Sequence, residues 1–149
     1  MSLRIGEVAE LTGTTPRTIR YYEELGLLAP EQGREPGAHR VYDQADVERL
    51  KEVLRLRRVL GLSLEELKEV AAEESARAAR LREWHDGVED PVRRREIVEA
   101  GLDYVERQTE LVKRRREELD ELDRELTAKR RRLRGRLRDL QPLAGSERA

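Results

Sequence analysis

The sequence predicts a mainly α fold in which short, punctuated helices come first and one long coiled-coil helix follows. Three observations predict it. Charged residues make up 42% of the 149 and aromatics only 3%, with no Phe and one Trp. That composition fits long helices washed by solvent better than a compact globule. The first third carries Gly, Pro and helix-capping residues at short intervals, which marks brief helices and turns. Val98, Val105, Val112, Leu119, Leu126, Leu133 and Leu140 recur at strict seven-residue spacing, the period of a coiled-coil seam.

Ile5, Val8, Ala9 and Leu11 repeat at helical spacing and predict a helix over roughly 4–11. Thr12-Gly13-Thr14 reads as a turn. Thr15 then caps a second helix whose first residue is Pro16, where the missing N–H costs nothing. This helix runs to about Leu25 and ends at Gly26. Two short helices joined by a Gly-containing turn make a helix-turn-helix candidate. Residues 27–42 lack helical period, and Pro30, Gly33, Pro36 and Gly37 mark a loop. The extended run Arg40-Val41-Tyr42 closes it, so a small wing hairpin fits here.

Asp43 caps a third helix, about 44–60, with apolar positions at Val47, Leu50, Val53, Leu54, Leu56, Val59 and Leu60. Gly61 stops it, and Ser63 with Glu66 forms a capping box for a fourth helix, about 64–74. Residues 75–97 are helical in composition but broken by Gly87 and Pro91, and are expected to form a linker with a short helical segment. The seam then covers 98–141. Its second position holds Gly101, Gln108, Arg115, Leu122, Lys129 and Arg136, of which only Leu122 is apolar, while Leu102, Leu111 and Leu137 lie beside it. So narrow a seam on so long a helix needs a second copy of the protein to cover it. Residues 142–149 are expected to be a flexible tail.

Charge narrows the function classes. The 31 basic and 32 acidic residues leave the chain near neutral, and residues 1–72 hold 11 basic and 13 acidic side chains. Nucleic-acid binding must therefore rest on a local patch. The absence of Cys excludes disulfides, thiolate metal sites and cysteine nucleophiles. No apolar stretch is long enough to span a membrane, and the N-terminus lacks an apolar signal core. A cytoplasmic, nucleoid-associated bacterial protein is expected. Two His, at 39 and 85, and no Gly-rich phosphate loop give catalysis no footing, and no cofactor or metal is expected.

Arg4-Ile5-Gly6-Glu7-Val8-Ala9, followed by Thr15-Pro16-Arg17-Thr18-Ile19-Arg20-Tyr21-Tyr22-Glu23-Glu24-Leu25-Gly26-Leu27-Leu28, resembles the MerR family of transcriptional regulators. His39-Arg40-Val41-Tyr42 sits at that family's wing motif, with Ala38-His39 where the family has Gly-Tyr, and Leu60-Gly61-Leu62-Ser63-Leu64-Glu65-Glu66-Leu67 resembles the entry to its fourth helix. The resemblance covers about residues 3–72. It implies a winged helix-turn-helix DNA-binding domain, expected over 1–74, followed by an antiparallel dimerisation coiled coil over 98–141. It further implies a homodimer on a pseudo-palindromic site in double-stranded promoter DNA, twisting the promoter spacer and so acting on RNA polymerase indirectly.

The candidate DNA-binding residues follow. Between Thr12 and Arg20 there are two Arg, several Thr and no acid, at a helix N-terminus whose free N–H groups suit phosphate. Arg17 and Thr18 are expected to face bases. Arg20, Tyr21, Arg40 and Tyr42 are expected on the DNA backbone, with Thr15 and His39 beside them. Ile19 and Tyr22 are expected to pack inward. Arg57, Arg58 and Ser63, around the turn after the third helix, are candidate phosphate contacts; the competing reading is compensation of the helix dipole. The dimer seam is expected to use Val98, Val105, Val112, Leu119, Leu122, Leu126, Leu133 and Leu140. Trp84, His85 and Tyr104 are the candidate lining of an effector pocket. The family's metal and redox sensors use Cys, which this chain lacks, and its end at 149 with Leu140 still in register predicts no appended ligand domain. The alternative function is an architectural DNA-binding or interaction protein without direct promoter control.

Overall fold

The computed structural model describes residues 2–26, 28 and 41–146, with side chains to 141. It contains five helices among these residues: α1 (Ile5–Thr12), α2 (Pro16–Glu24), α3 (Gln44–Leu60), α4 (Leu64–Asp86) and α5 (Pro91–Ser146). The chain divides into two units, Met1–Gln108 and Thr109–Ala149. The described part of the second unit, residues 109–146, is helical and belongs to α5.

Local chemistry sets each helix boundary. α1 opens where the Glu7 carboxylate accepts the Arg4 N–H at 2.7 Å. It closes at Gly13, whose φ of 66° is one that a side chain would strain. α2 opens at Thr15, whose Oγ1 accepts the Thr18 N–H at 3.2 Å, with Pro16 following. Asp43 and Asp46 cap α3 reciprocally at 2.8 and 3.0 Å. Ser63 and Glu66 do the same for α4 at 2.9 and 3.3 Å. Asp90 Oδ1 accepts the Val92 N–H at 3.1 Å where α5 begins.

These caps orient four apolar faces into one core. α1 packs on α2 and α3, and α3 packs on α4. Val8, Ile19, Tyr22, Val47, Leu50, Val53 and Leu67 are fully buried there. Burying a side chain of this kind contributes about 1.5–3 kcal/mol. Leu3 and Tyr42 form an antiparallel bridge, exchanging both N–H···O bonds at 2.8 and 2.9 Å. This ties the N-terminus to the segment entering α3. The wing hairpin expected over 27–42 lies outside the described residues, except for Leu28, Val41 and Tyr42.

Two helices are longer than the sequence predicts. α4 runs on from 74 to Asp86, and α5 begins at Pro91 rather than 98, so most of the expected linker is helical. Gly87, with a φ of 94°, ends α4. The apolar period lapses after Ala72 because polar contacts join α4 to the first turns of α5. Glu73 meets Arg107 at 2.6 Å, and Glu74 meets Tyr104 at 2.6 Å. Glu83 holds Arg93 through two bonds of 2.7 Å, and Arg94 lies 5.4 Å over the Trp84 ring. Partners that rise along α5 as they fall along α4 make the two helices antiparallel.

Candidate nucleic-acid interface

The turn between α1 and α2 presents the start of α2. Ile19 and Tyr22 point into the core, as expected, and this rotates Arg17, Arg20 and Tyr21 outward. Neither Arg17 nor Arg20 forms an ion pair among the described residues. No acid lies in the first turn of α2, so the helix dipole and both guanidinium groups add in sign. Thr15 and Thr18 share a hydrogen bond between hydroxyls at 3.0 Å. That bond uses one of their two hydroxyl protons, so one remains to reach a phosphate.

The second basic surface is at the end of α3. Most cations of that helix are compensated locally: Arg49 by Asp46 at 3.7 Å, Lys51 by Glu48 at 3.3 Å and Arg55 by Glu52 at 3.0 Å. Arg57 differs. Its Nη1 donates to the Tyr22 hydroxyl at 2.7 Å, which leaves the guanidinium charged and fixes it to α2. Arg58 is exposed and forms no ion pair among the described residues. Ser63 is spent on the α4 cap, and Glu65 and Glu66 stand in the first turn of α4. Those acids weaken this helix end as an anion site, so Arg57 and Arg58 must supply the attraction.

Tyr42 corrects the sequence reading. It was expected on the DNA backbone, but it is 4% exposed and its hydroxyl donates to Glu23 Oε1 at 2.6 Å. An aromatic hydroxyl buried in a core needs such a partner. Tyr42 therefore braces α2 from behind. His39 and Arg40 lie outside the described residues.

The grouping of Trp84, His85 and Tyr104 does not form. Trp84 is 39% exposed beneath Arg94, and His85 is exposed in the last turn of α4. Tyr104 is buried against Glu74, ten residues back along α4 from Trp84. That spacing is about 15 Å of helix. Among the described residues no group of three His, Asp or Glu side chains could hold a metal ion, and no helix is long and apolar enough to cross a membrane.

The sequence reading missed two contacts that position these surfaces: Arg57 on Tyr22, and the buried Glu74–Tyr104–Arg77 cluster. In the cluster Glu74 is 4% exposed and also meets Arg77 at 2.9 Å. Arg77 lies 5.7 Å over the Tyr104 ring. Buried tyrosines at core positions were the available signal, since each hydroxyl requires a partner.

The seam residues stand together on α5. Val98, Val105, Val112, Leu119, Leu122, Leu126, Leu133 and Leu140 are all exposed in the single chain.

Comparison with known proteins agrees with this geometry. The MerR HTH family regulatory protein profile matches residues 3–74. The HTH-type transcriptional regulator YfmP of Bacillus subtilis is 37% identical over 111 residues, which is 74% of this chain and 77% of YfmP. The chain spans only 29% of the nodulation protein NolA of Bradyrhizobium elkanii, at 49% identity over 65 residues. The crystal structure of HiNmlR, a MerR family regulator lacking the sensor domain and bound to promoter DNA, is similar with a TM-score of 0.52 at 26% identity, covering 89% of this chain and 88% of that one. A MerR family structure from Listeria monocytogenes is similar with a TM-score of 0.56 at 27% identity, covering 99% and 100%. The chain belongs to the MerR family of helix-turn-helix transcriptional regulators.

Proposed function

We propose that this DNA-binding transcriptional regulator acts as a homodimer on a pseudo-palindromic promoter site. Arg17 reads a base edge. Arg20, Arg57 and Arg58 hold phosphates, with Tyr21 and the free hydroxyl proton of the Thr15–Thr18 pair beside them. His39 and Arg40 would extend the phosphate contacts from the segment between α2 and α3. The exposed seam on α5 joins the two copies and sets the spacing of the two half-sites. Distortion of the DNA between them is the means by which the protein controls RNA polymerase without touching a base at the centre.

The carrying observation is that, within α2 and α3, the cations without an ion pair among the described residues are Arg17 and Arg20 at the start of α2 and Arg57 and Arg58 at the end of α3, while Arg49, Lys51 and Arg55 are neutralised by acids one turn away. HiNmlR, similar in structure, is seen on promoter DNA, which supports the same use here.

Salt dependence tests the reading. If Arg20, Arg40, Arg57 and Arg58 each neutralise one phosphate in each copy, log K against log salt has a slope of about −7. Arg20→Ala should bring the slope to about −5.5 on every sequence. A slope near zero for the unaltered protein would overturn the assignment of both basic surfaces.

A further inference from the structure

The far part of α5 is the most cationic stretch of the chain. From Lys129 to Arg138 seven of the ten residues are cations and none is acidic. Residues 109–126 of the same helix hold seven acids and five cations. Cations earlier in α5 are compensated: Arg93 by Glu96 at 3.0 Å, Arg95 by Glu99 at 2.6 Å and Arg115 by Glu118 at 3.5 Å. Arg130, Arg131, Arg134 and Arg138 have no acid three or four residues away on either side. The helix itself therefore cannot neutralise them, and none forms an ion pair among the described residues.

These four arginines share one face. At 3.6 residues per turn they fall within about 100° of the helix circumference, and with Thr127 they line one groove. All four are exposed. Arg130, Arg134 and Arg138 follow one another at steps of four, a spacing at which like charges destabilise a helix. No apolar or aromatic side chain joins the lining.

We infer that this groove holds the phosphate backbone of duplex DNA, as a second DNA surface that reads no sequence. Three features select that occupant. Arginine suits it better than lysine, because the planar fork meets two phosphate oxygens at once. The charge densities match: Arg130 to Arg138 spans about 12 Å of helix, over which a duplex carries about seven phosphates. The lining also disfavours other partners. It offers a protein no apolar anchor to bury. It offers single-stranded nucleic acid no aromatic ring to stack on, and no aromatic residue follows Tyr104. The inference does not rest on the operator proposed above, since phosphate contacts carry no sequence information. Its consequence is a hold on DNA away from the operator, of the kind that lets a protein slide and hop along a duplex.

The test is binding of the full chain to a random-sequence duplex at a series of salt concentrations. Arg130→Gln, Arg131→Gln, Arg134→Gln and Arg138→Gln are made together; Gln keeps the helix and removes the charges. The slope of log K against log salt should become shallower by about 3.6 for each copy whose groove is engaged. That share is worth about 150-fold in affinity between 50 and 200 mM salt. Preference for the specific site over random duplex should stay as it was. Arg17→Ala should do the reverse, lowering the preference and leaving the slope difference in place, so the two proposals fail separately. The same four positions changed to Lys should restore the slope, because a point charge still neutralises a phosphate. An unchanged slope in the Gln variant would overturn the groove as a DNA surface and turn it toward an acidic protein. A monomeric mass in sedimentation for the Gln variant alone would overturn it as well, since the arginines would then serve a second copy.

Discussion

Tyr104→Phe removes one oxygen from the most buried polar contact between α4 and α5. The Tyr104 hydroxyl donates to Glu74 Oε2 at 2.6 Å, and the two residues are 8% and 4% exposed. A hydrogen bond to a charged group contributes about 1.5–3 kcal/mol. Arg77 still pairs with Glu74 in the variant, which holds the expected loss to the lower end, about 1.5–2 kcal/mol. For a unit of this size that is about 6–8 °C in the unfolding midpoint. The pH dependence gives an independent sign. Burial foremost, then donation to the Glu74 carboxylate, pushes the Tyr104 hydroxyl above the ordinary tyrosine range, against a smaller opposing pull from Arg77. A folded pKa above the unfolded value of about 10 means that this stabilisation is whole below about pH 10 and is lost as pH rises further. Thermal unfolding of both proteins between pH 7 and 11 measures it. The gap between the two curves should be constant to about pH 10 and then close. A gap below about 0.5 kcal/mol at pH 8, or one that widens above pH 10, would refute the reasoning.

Three further outcomes are expected. Arg17→Ala should lower affinity for the specific site by about 1–3 kcal/mol and for random DNA by less, read by anisotropy at fixed salt; equal losses would make Arg17 a phosphate contact only. Leu119→Lys with Leu126→Lys should give a monomeric mass in sedimentation and lose specific binding, and an unchanged dimer would displace the seam. Thr15→Ala removes the α2 cap and should cost about 0.5–2 kcal/mol in urea unfolding, while Thr15→Ser should retain the cap.

Sequence and structure agree where the controlling chemistry is local. Pro16 after Thr15, Asp43 before α3 and Ser63 with Glu66 each name a helix boundary within a turn of chain, and α3 falls on the expected 44–60. The differences arise where a distant partner decides. Nothing in the run Arg40-Val41-Tyr42 says that the Tyr42 hydroxyl meets Glu23, nineteen residues back. Arg57 reads as one more basic residue until Tyr22, thirty-five positions away, is found beneath it. The apolar period ends α4 too early, at about 74, because it is a poor guide where helices meet through Glu83, Arg93 and Glu74. The sequence expectation places Trp84, His85 and Tyr104 on one pocket. An antiparallel pair of helices instead sends them to different turns.

A footprint of the purified protein on the DNA upstream of its own gene, at two salt concentrations, tests the central claim most directly. The account predicts one compact site with two-fold symmetry between promoter elements, distorted central bases and weaker protection at the higher salt. Diffuse protection without symmetry, on this DNA and on fragments recovered by genome-wide selection, would contradict it and favour an architectural protein.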